Sequence, residues 1–209
     1  MLERAFYLTN GVELAKALIG KVLVHETPEG VLKGRIVETE AYMGASDAAA
    51  HSYKGNPFGR VNVQYGAGGF AYIYLIYGMH SCMNVVANLE GVPEAVLIRA
   101  LEPVFGIEQM QKNRGTEALK ALCSGPGKLC SAMKIDRALY GADLCQSPFY
   151  LEEAEEKRSF RIGVTARINV DYAGEASKYP WRFVELDSPY LSKKPKPHEL
   201  LDILDTVEP

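Results

Sequence analysis

Two glutamates, Glu38 and Glu40, are candidates for chemistry in the stretch KGRIVETEAYMG, although a strand glutamate most often lies in solvent. Polar and apolar residues alternate there as they do in a β-strand, so both carboxylates and Tyr42 are expected on one face. A carboxylate in this position points either to solvent or into a pocket. Further polar and aromatic side chains that could complete a pocket follow in the chain: His51, Tyr74 and Asn84.

Paired carboxylates suggest one established chemistry, the hydrolysis of sugar glycosides. That reaction places an acid on each side of the scissile bond. Glu38 and Glu40 instead project from one strand face, roughly 7 Å apart along the backbone. The second acid would have to come from elsewhere, so a sugar glycosidase is the weaker alternative.

A run of tyrosines raises a different question. The stretch FAYIYLIYGMHSCMN contains Tyr72, Tyr74 and Tyr77 before Gly78 interrupts it. Tyr72 and Tyr74 share one strand face, where packing against the sheet is the usual role of such rings, whereas Tyr77 is expected near the tip of a hairpin. A ring at a hairpin tip has little core beneath it, so it either caps a neighbour or touches a partner.

The aromatic residues also suggest a binding site. If Tyr42, His51 and Tyr74 converge, they form a slot between flat rings, which suits a planar heterocycle. Tyr77 would then stand outside the slot as a plug.

Other catalytic patterns are weak. The stretch CSGPGKLC lacks the phosphate-binding pattern G-x-x-x-x-G-K-[ST], and Pro126 and Lys128 fit a helix start, where capping is favoured over phosphate contact. The stretch YGAGGF leads into a strand and not into a helix. No G-x-S-x-G nucleophile elbow occurs.

Neither a metal site nor a disulfide framework is expected. The histidines and cysteines are scattered, without H-E-x-x-H or C-x-x-C spacing. The four histidines are His25, His51, His80 and His198, and the four cysteines are Cys82, Cys123, Cys130 and Cys145. The cysteines are expected to be reduced and mostly buried.

Composition bounds the class of protein. The 209 residues, 47% hydrophobic and 23% charged, fit one globular domain, residues 1–209. The protein is expected to be cytoplasmic, because no membrane-spanning run or signal peptide appears. The net charge of −3 argues weakly against a nucleic-acid partner. However, outside residues 151–157 and 199–209 the chain has four more bases than acids, so a basic face is compatible with it.

Several elements must position these residues. Asn10 begins a helix that Gly20 ends, and two strands around TPEG bring Glu40 into place. The segment 43–69 is expected to be a long ordered loop, because it is rich in Gly, Ala, Asn and Ser and shows no period. Strands FAYIYLIY and CMNVVANL around GMHS, and then EAVLIRALEP, continue the sheet.

The rest of the chain completes the predicted fold. Residues 105–134 have helical spacing, FRIGVTARINV and PWRFVEL return to strands, and KKPKPHE is a proline-stiffened exit. The prediction is a single α+β domain with a curved antiparallel or mixed β-sheet, a protruding β-hairpin and flanking helices.

Four stretches also resemble a known family. KGRIVETEAYMG, AYIYLIYGMHSCMN, VLIRALEP and CSGPGKLC are similar, in order and spacing, to the alkyladenine (3-methyladenine) DNA glycosylases of the mammalian type. The resemblance runs from about residue 12 to about residue 192. His80 departs from the family pattern, in which vertebrate relatives carry an aromatic residue, and so does the loop 53–69.

The resemblance implies a monofunctional glycosylase of base excision repair. Its partner is double-stranded DNA containing alkylated and also deaminated purines, such as 3-methyladenine and hypoxanthine. The damaged purine is flipped out of the duplex and its N-glycosidic bond is hydrolysed, which leaves an abasic site. No cofactor, no metal and a monomer are expected, and a non-enzymatic protein that binds damaged DNA is the alternative.

The resemblance also implies a role for each matching residue. Glu40 would activate the attacking water, which Arg99 and the main chain near Ile168 would hold. The base pocket would consist of four residues, namely Tyr42, His51, Tyr74 and Asn84, with Asn84 crowding the exocyclic amine of guanine. Tyr77, with Met79 beside it, would be the wedge in the minor groove.

Overall fold

The fold is organised by one antiparallel β-sheet, seen in a computed structural model that describes residues 1–156 and 158–205. The described strands are β1 (Val22–Thr27), β2 (Gly30–Tyr42), β3 (Ala71–Ile76), β4 (His80–Ala87), β5 (Glu94–Phe105), β6 (Phe149–Glu152), β7 (Arg161–Thr165), β8 (Arg182–Glu185) and β9 (Asp202–Asp205). Their order is β3-β4-β5-β2-β8-β7-β9, and β1 joins β2 to β6. The predicted α+β class is confirmed, and each described strand pair is antiparallel.

The helices cover one face of this sheet. They are α1 (Arg4–Tyr7), α2 (Gly11–Leu18), α3 (Ile107–Arg114) and α4 (Pro126–Ala132). The side chain of Asn10 accepts hydrogen bonds from the N–H groups of Val12 and Glu13 at 3.1 and 3.0 Å, which caps α2 as predicted. Pro126 begins α4, where its fixed φ and missing N–H cost nothing.

The two faces of the central strands have different environments. On the helix side, Ile98, Val85 and Met83 pack with Leu14 of α2 and Leu129 of α4 in the main hydrophobic core. Residues paired directly across neighbouring strands share a face, and one such row on the other side consists of Glu40, Leu97, Asn84 and Tyr72. This second face carries the residues singled out by the sequence.

Loops bury this second face as well. Residues 35–41 of β2 are all buried, although the alternating pattern alone would leave one side of the strand exposed. The cover comes from the segment between β2 and β3 and from the segments after β7 and β8. These segments therefore decide the surroundings of both glutamates.

Several predicted boundaries differ from the structure. The strand predicted over residues 160–170 ends at Thr165, and His80 and Ser81 belong to β4 instead of the turn. The predicted loop 43–69 contains two 3-10 helices, Gly44–Ser46 and Gly59–Tyr65. Strands β6 and β9 were missed, because acidic residues in both segments obscured the short apolar pattern.

Two further observations concern the described residues. None of their helices has both the length and the apolar character needed to cross a bilayer. The cysteines are free thiols, and Cys82, Cys123 and Cys130 are buried while Cys145 is partly exposed.

Candidate active site

Glu40 lies at the centre of the sheet with no exposed surface. One carboxylate oxygen accepts the Ile168 N–H at 2.8 Å. The other accepts the Tyr42 hydroxyl at 2.9 Å and Nη1 of Arg99 at 3.2 Å. Because all three partners are donors, the site matches an ionised carboxylate, which only accepts hydrogen bonds.

Glu38 is equally buried but has a different set of partners. It accepts hydrogen bonds from Nε of Arg99 at 3.2 Å and from Nε of Arg182 at 2.8 Å. The N–H and hydroxyl of Ser192 add bonds of 2.7 and 2.8 Å. Arg99 thus bridges the two glutamates, and Glu38 is fully engaged in holding structure. This arrangement removes Glu38 as the second acid of a sugar glycosidase.

The predicted aromatic residues do converge beside Glu40. A small cavity of about 50 Å³ is lined by Tyr42, Ala49, His51, Gln64, Tyr72, Tyr74, Asn84, Ala95 and Tyr172. The rings of His51 and Tyr74 touch edge to face, with centroids 4.5 Å apart. Small-molecule pockets usually measure about 300 Å³ or more. The slot is therefore narrow, and its rings are in mutual contact.

His51 is held as a neutral ring. His51 keeps an exposed edge, but desolvation of the part of the ring inside the slot, together with the positive charge of Arg60, lowers its pKa to about 4. Its Nδ1 lies 2.8 Å from the hydroxyl of Tyr72, whose pKa burial raises to about 12.

Asn84 is oriented by the sheet itself. It is buried, and its Nδ2 donates to the carbonyl oxygen of Tyr72 at 3.1 Å. Burial raises the pKa of the Tyr42 hydroxyl well above its usual range, and Glu40 adds to this effect. The walls of the slot are therefore uncharged at neutral pH, while Glu40 supplies a negative charge nearby.

The tip of the β3–β4 hairpin stands apart from the slot. Tyr77 is 85% exposed and Met79 is 72% exposed. Tyr77 also has a positive φ of 52°, followed by Gly78 at 70°. Turns of this kind favour Asn, Asp and Gly, and a tyrosine there is strained. Neither burial nor turn preference explains the ring at this position.

The structure thus divides the predicted residues into three groups. Glu40, Arg99 and the main chain of Ile168 form one hydrogen-bonded cluster. The predicted slot residues lie together in the adjacent cavity: Tyr42, His51, Tyr74 and Asn84. Tyr77 and Met79 lie at the hairpin tip, away from both.

Comparisons with known proteins identify the family of the chain. The sequence model described as Methylpurine-DNA glycosylase (MPG) matches residues 5–189. The chain belongs to this family. It is 49% identical over 201 residues to a protein of Desulfitobacterium hafniense, covering 92% of this chain and 98% of the relative.

Two further relatives give the same picture. The chain is 48% identical to proteins of Alkaliphilus oremlandii and Methanocella arvoryzae, covering 92% and 93% of this chain and 99% and 96% of those proteins. All three relatives carry the name 3-methyladenine DNA glycosylase. The resemblance inferred from four short stretches is confirmed, and so is the prediction of a DNA glycosylase, a hydrolase of base excision repair.

Other residues of this candidate site do not stand out in the sequence. Asp47 and Arg167 form a completely buried ion pair, with Nη2 of Arg167 2.8 Å from the carboxylate. The guanidinium lies between the rings of Tyr42 and Trp181, 4.8 and 4.9 Å from their centroids. Tyr172 was also missed, although it lines the slot and its hydroxyl donates to the carbonyl of Ala49 at 3.3 Å.

The buried pair fastens both loops that surround the slot. Asp47 accepts the N–H groups of Met43 and Ala49, each at 3.0 Å, which shapes the loop after β2. Arg167 donates to the carbonyl oxygens of Ala41 and Ala176, each at 3.0 Å. The pair therefore sets the position of Tyr42 and, through the next residue, of the Ile168 N–H.

We expect Asp47→Asn to destabilise the protein by about 3–5 kcal/mol, because it leaves the Arg167 charge buried without its partner. Urea denaturation measures the loss. The matched control, Glu175→Gln, breaks an exposed pair with Lys178 and should cost less than about 1 kcal/mol. Equal losses in the two variants would contradict the assigned role of the buried pair.

Proposed function

We propose that this protein releases alkylated purines, with 3-methyladenine as the primary substrate, from double-stranded DNA. The damaged nucleotide rotates out of the helix, its base enters the aromatic slot, and water hydrolyses the N-glycosidic bond. The protein acts as a monomer, because one flipped nucleotide needs one pocket.

The observation that carries this proposal is the position of the buried carboxylate beside the slot. Tyr42 contributes to both features, since its ring lines the slot while its hydroxyl donates to Glu40 at 2.9 Å. A base held against Tyr42 keeps its sugar near the carboxylate. Base recognition and bond cleavage are thereby placed side by side.

Extraction of the base has a cost that the protein must offset. Unstacking and unpairing a nucleotide costs a few kcal/mol, and least for a damaged or mispaired base. The rings of Tyr42, His51 and Tyr74 restack the extruded base, and Tyr77 fills the gap that it leaves in the duplex. The exposed, strained ring at the hairpin tip is suited to contact with DNA because it has no packing role in the protein.

Charge favours an alkylated purine in this slot. A cationic base meets the electron-rich faces of tyrosines and a neutral His51, and the carboxylate of Glu40 lies beside Tyr42. Glu40 lies close enough to stabilise positive charge that develops on the sugar as the bond breaks.

Hydrolysis follows from the same geometry. The C1′–N9 bond breaks, its electron pair leaves with the base, and water adds to C1′ while Glu40 accepts a proton from that water. Arg99 and the Ile168 N–H hold the water and the carboxylate in place. No lysine lines the slot among the described residues, so water is the nucleophile here and no Schiff base forms.

The range of substrates follows from the leaving group and from Asn84. An alkylated purine departs as a neutral molecule, whereas hypoxanthine needs protonation and is the slower substrate. Asn84 rejects guanine, since its side chain is fixed against the Tyr72 carbonyl and cannot move away from the exocyclic amine.

We expect Glu40→Gln to slow the release of 3-methyladenine by roughly 10²–10⁴-fold, because the base that accepts the water's proton is lost. The measurement is single-turnover base release from duplexes that contain 3-methyladenine, hypoxanthine or undamaged adenine. Glu13→Gln, at an exposed position on α2, is the matched control and should retain the native rate. Binding to abasic-site DNA should persist in both variants.

An unchanged rate in Glu40→Gln would remove this residue from catalysis. Absence of base release by the native chain, together with tight binding to damaged duplex, would favour the non-enzymatic alternative instead.

Tyr77→Asn should weaken DNA binding without lowering the stability of the protein. Asparagine tolerates a positive φ, so the free energy of unfolding should stay the same or rise by up to about 1 kcal/mol. Binding to abasic-site duplex should weaken, because no ring fills the gap, while binding to single strands should change little. Equal weakening on both kinds of DNA would argue against insertion of the ring.

Asn84→Ser should allow guanine-derived substrates into the slot, because it removes the crowding side chain while keeping a polar group. The test compares release of 7-methylguanine and 3-methyladenine by the native chain and the variant. A ratio that stays at the native value would refute the crowding account.

A further inference from the structure

The segment Ser192–Lys196 has the sequence SKKPK, here called the lysine segment, and it lies beyond the family match, which ends at residue 189. Lys193, Lys194 and Lys196 are all exposed. Lys193 approaches Glu199 at 3.7 Å, whereas Lys194 and Lys196 form no ion pair with any residue that the structure describes. In a chain with a net charge of −3, this segment carries three positive charges within four residues, with the carboxylate of Glu199 beside them.

The lysine segment is anchored to the buried glutamate network. Ser192 donates twice to Glu38, through its N–H and its hydroxyl, at 2.7 and 2.8 Å. Arg182, which also binds Glu38, donates to the carbonyl oxygen of Lys193. The backbone that carries the lysines is therefore ordered before any partner binds, which lowers the entropic cost of binding.

Packing also places the segment on the face that carries the slot. Gly163 of β7 pairs with Val184, which in turn pairs with Glu38, so this row of residues shares a face. A Cβ at Gly163 would lie only 2.4 Å from Leu186 and 2.9 Å from Leu200. Leu186 and Leu200, which flank the lysine segment in the chain, thus pack against the face that Glu38 and Glu40 occupy.

Strand register gives the direction of the segment relative to the hairpin. β4 starts at the hairpin tip and runs away from it. Because β4 and β2 are each antiparallel to β5, β2 runs in the same direction as β4, and its lower-numbered residues lie toward the hairpin. Glu38 therefore lies on the hairpin side of Glu40. The lysine segment, bound to Glu38, is displaced from the slot in the same direction as Tyr77.

The distance across the sheet suits a DNA backbone. Strands β4 and β2 are two positions apart in the sheet, and strands are spaced by about 4.8 Å, so the hairpin and the Ser192 anchor on Glu38 are separated laterally by about 10–15 Å. Phosphates follow one another by about 3.4 Å of helix axis along one strand. The separation corresponds to roughly three or four nucleotides.

We propose that Lys194 and Lys196, with Lys193 beside them, bind backbone phosphates of the duplex whose damaged base occupies the slot. This inference rests on the proposed function, since it takes the same duplex as the ligand. The lysines provide a phosphate contact several nucleotides from the wedge, so two separated points fix the register of the DNA over Glu40.

The test uses the full chain and a short duplex with one central abasic-site analogue. Fluorescence anisotropy measures affinity between about 50 and 200 mM salt for the native chain and for the double variant Lys194→Ala, Lys196→Ala. For each phosphate that the variant no longer neutralises, the slope of log affinity against log salt should decrease in magnitude by about 0.9. The matched control is Lys112→Ala, Lys120→Ala, in the helical region that packs on the other face.

A lower slope in the lysine-segment variant alone supports the proposal. An unchanged slope, or an equal change in the control, overturns it. Urea denaturation of both variants checks that they fold as the native chain does. Base release by the native chain, assayed separately, tests the proposed function, so failure of one hypothesis is distinguished from failure of the other.

Discussion

Two buried carboxylates, Glu38 and Glu40, impose the constraint on which the rest of this structure depends. A buried charge is costly unless it is paired and its hydrogen-bonding capacity is filled. Arg99 alone cannot fill the capacity of both groups, so other side chains and two main-chain N–H groups supply further donors. The segments after β7 and β8 therefore leave the sheet and pass over it, so that the N–H groups of Ile168 and Ser192 reach the carboxylates.

The same requirement explains why the loops around the slot are ordered despite their irregular backbone. The Asp47–Arg167 pair satisfies main-chain groups in residues 41–49 and at Ala176, and the guanidinium of Arg167 packs against the ring of Tyr42. A slot wall made in this way is rigid without belonging to a helix or a strand. Preorganised groups of this kind lose less free energy to reorganisation when a ligand binds.

The hairpin tip, in contrast, is neither buried nor relaxed in its backbone. Its tyrosine is exposed and adopts a strained backbone conformation, so it contributes nothing to the stability of the isolated protein. Such strain persists where the surrounding strands determine the turn. The molecule thus combines a tightly satisfied interior around Glu40 with an exposed and strained tyrosine at the hairpin tip.

The pattern of residue types along the sequence was sufficient to predict the α+β class and the helix that begins after Asn10. It also predicted the shared face of Glu38, Glu40 and Tyr42. These features depend on local backbone geometry. The four stretches that resemble a family also indicated its chemistry, because their residue types and order do not depend on knowing the fold. Short acidic strands such as β9 escaped prediction, since their pairing with β7 outweighs a weak local preference.

Only the tertiary structure decided which polar residues serve the site and which hold it together. Glu38 and Glu40 look alike in the sequence. In the fold, Glu38 hydrogen-bonds to Ser192 and Arg182, whereas Glu40 hydrogen-bonds to Tyr42, whose ring lines the slot. Asp47 and Arg167, 120 positions apart, pair because two loops meet there. Local patterns determine which way a side chain points from its strand, but the partner that it meets depends on long-range packing of distant segments, which no short stretch of sequence encodes.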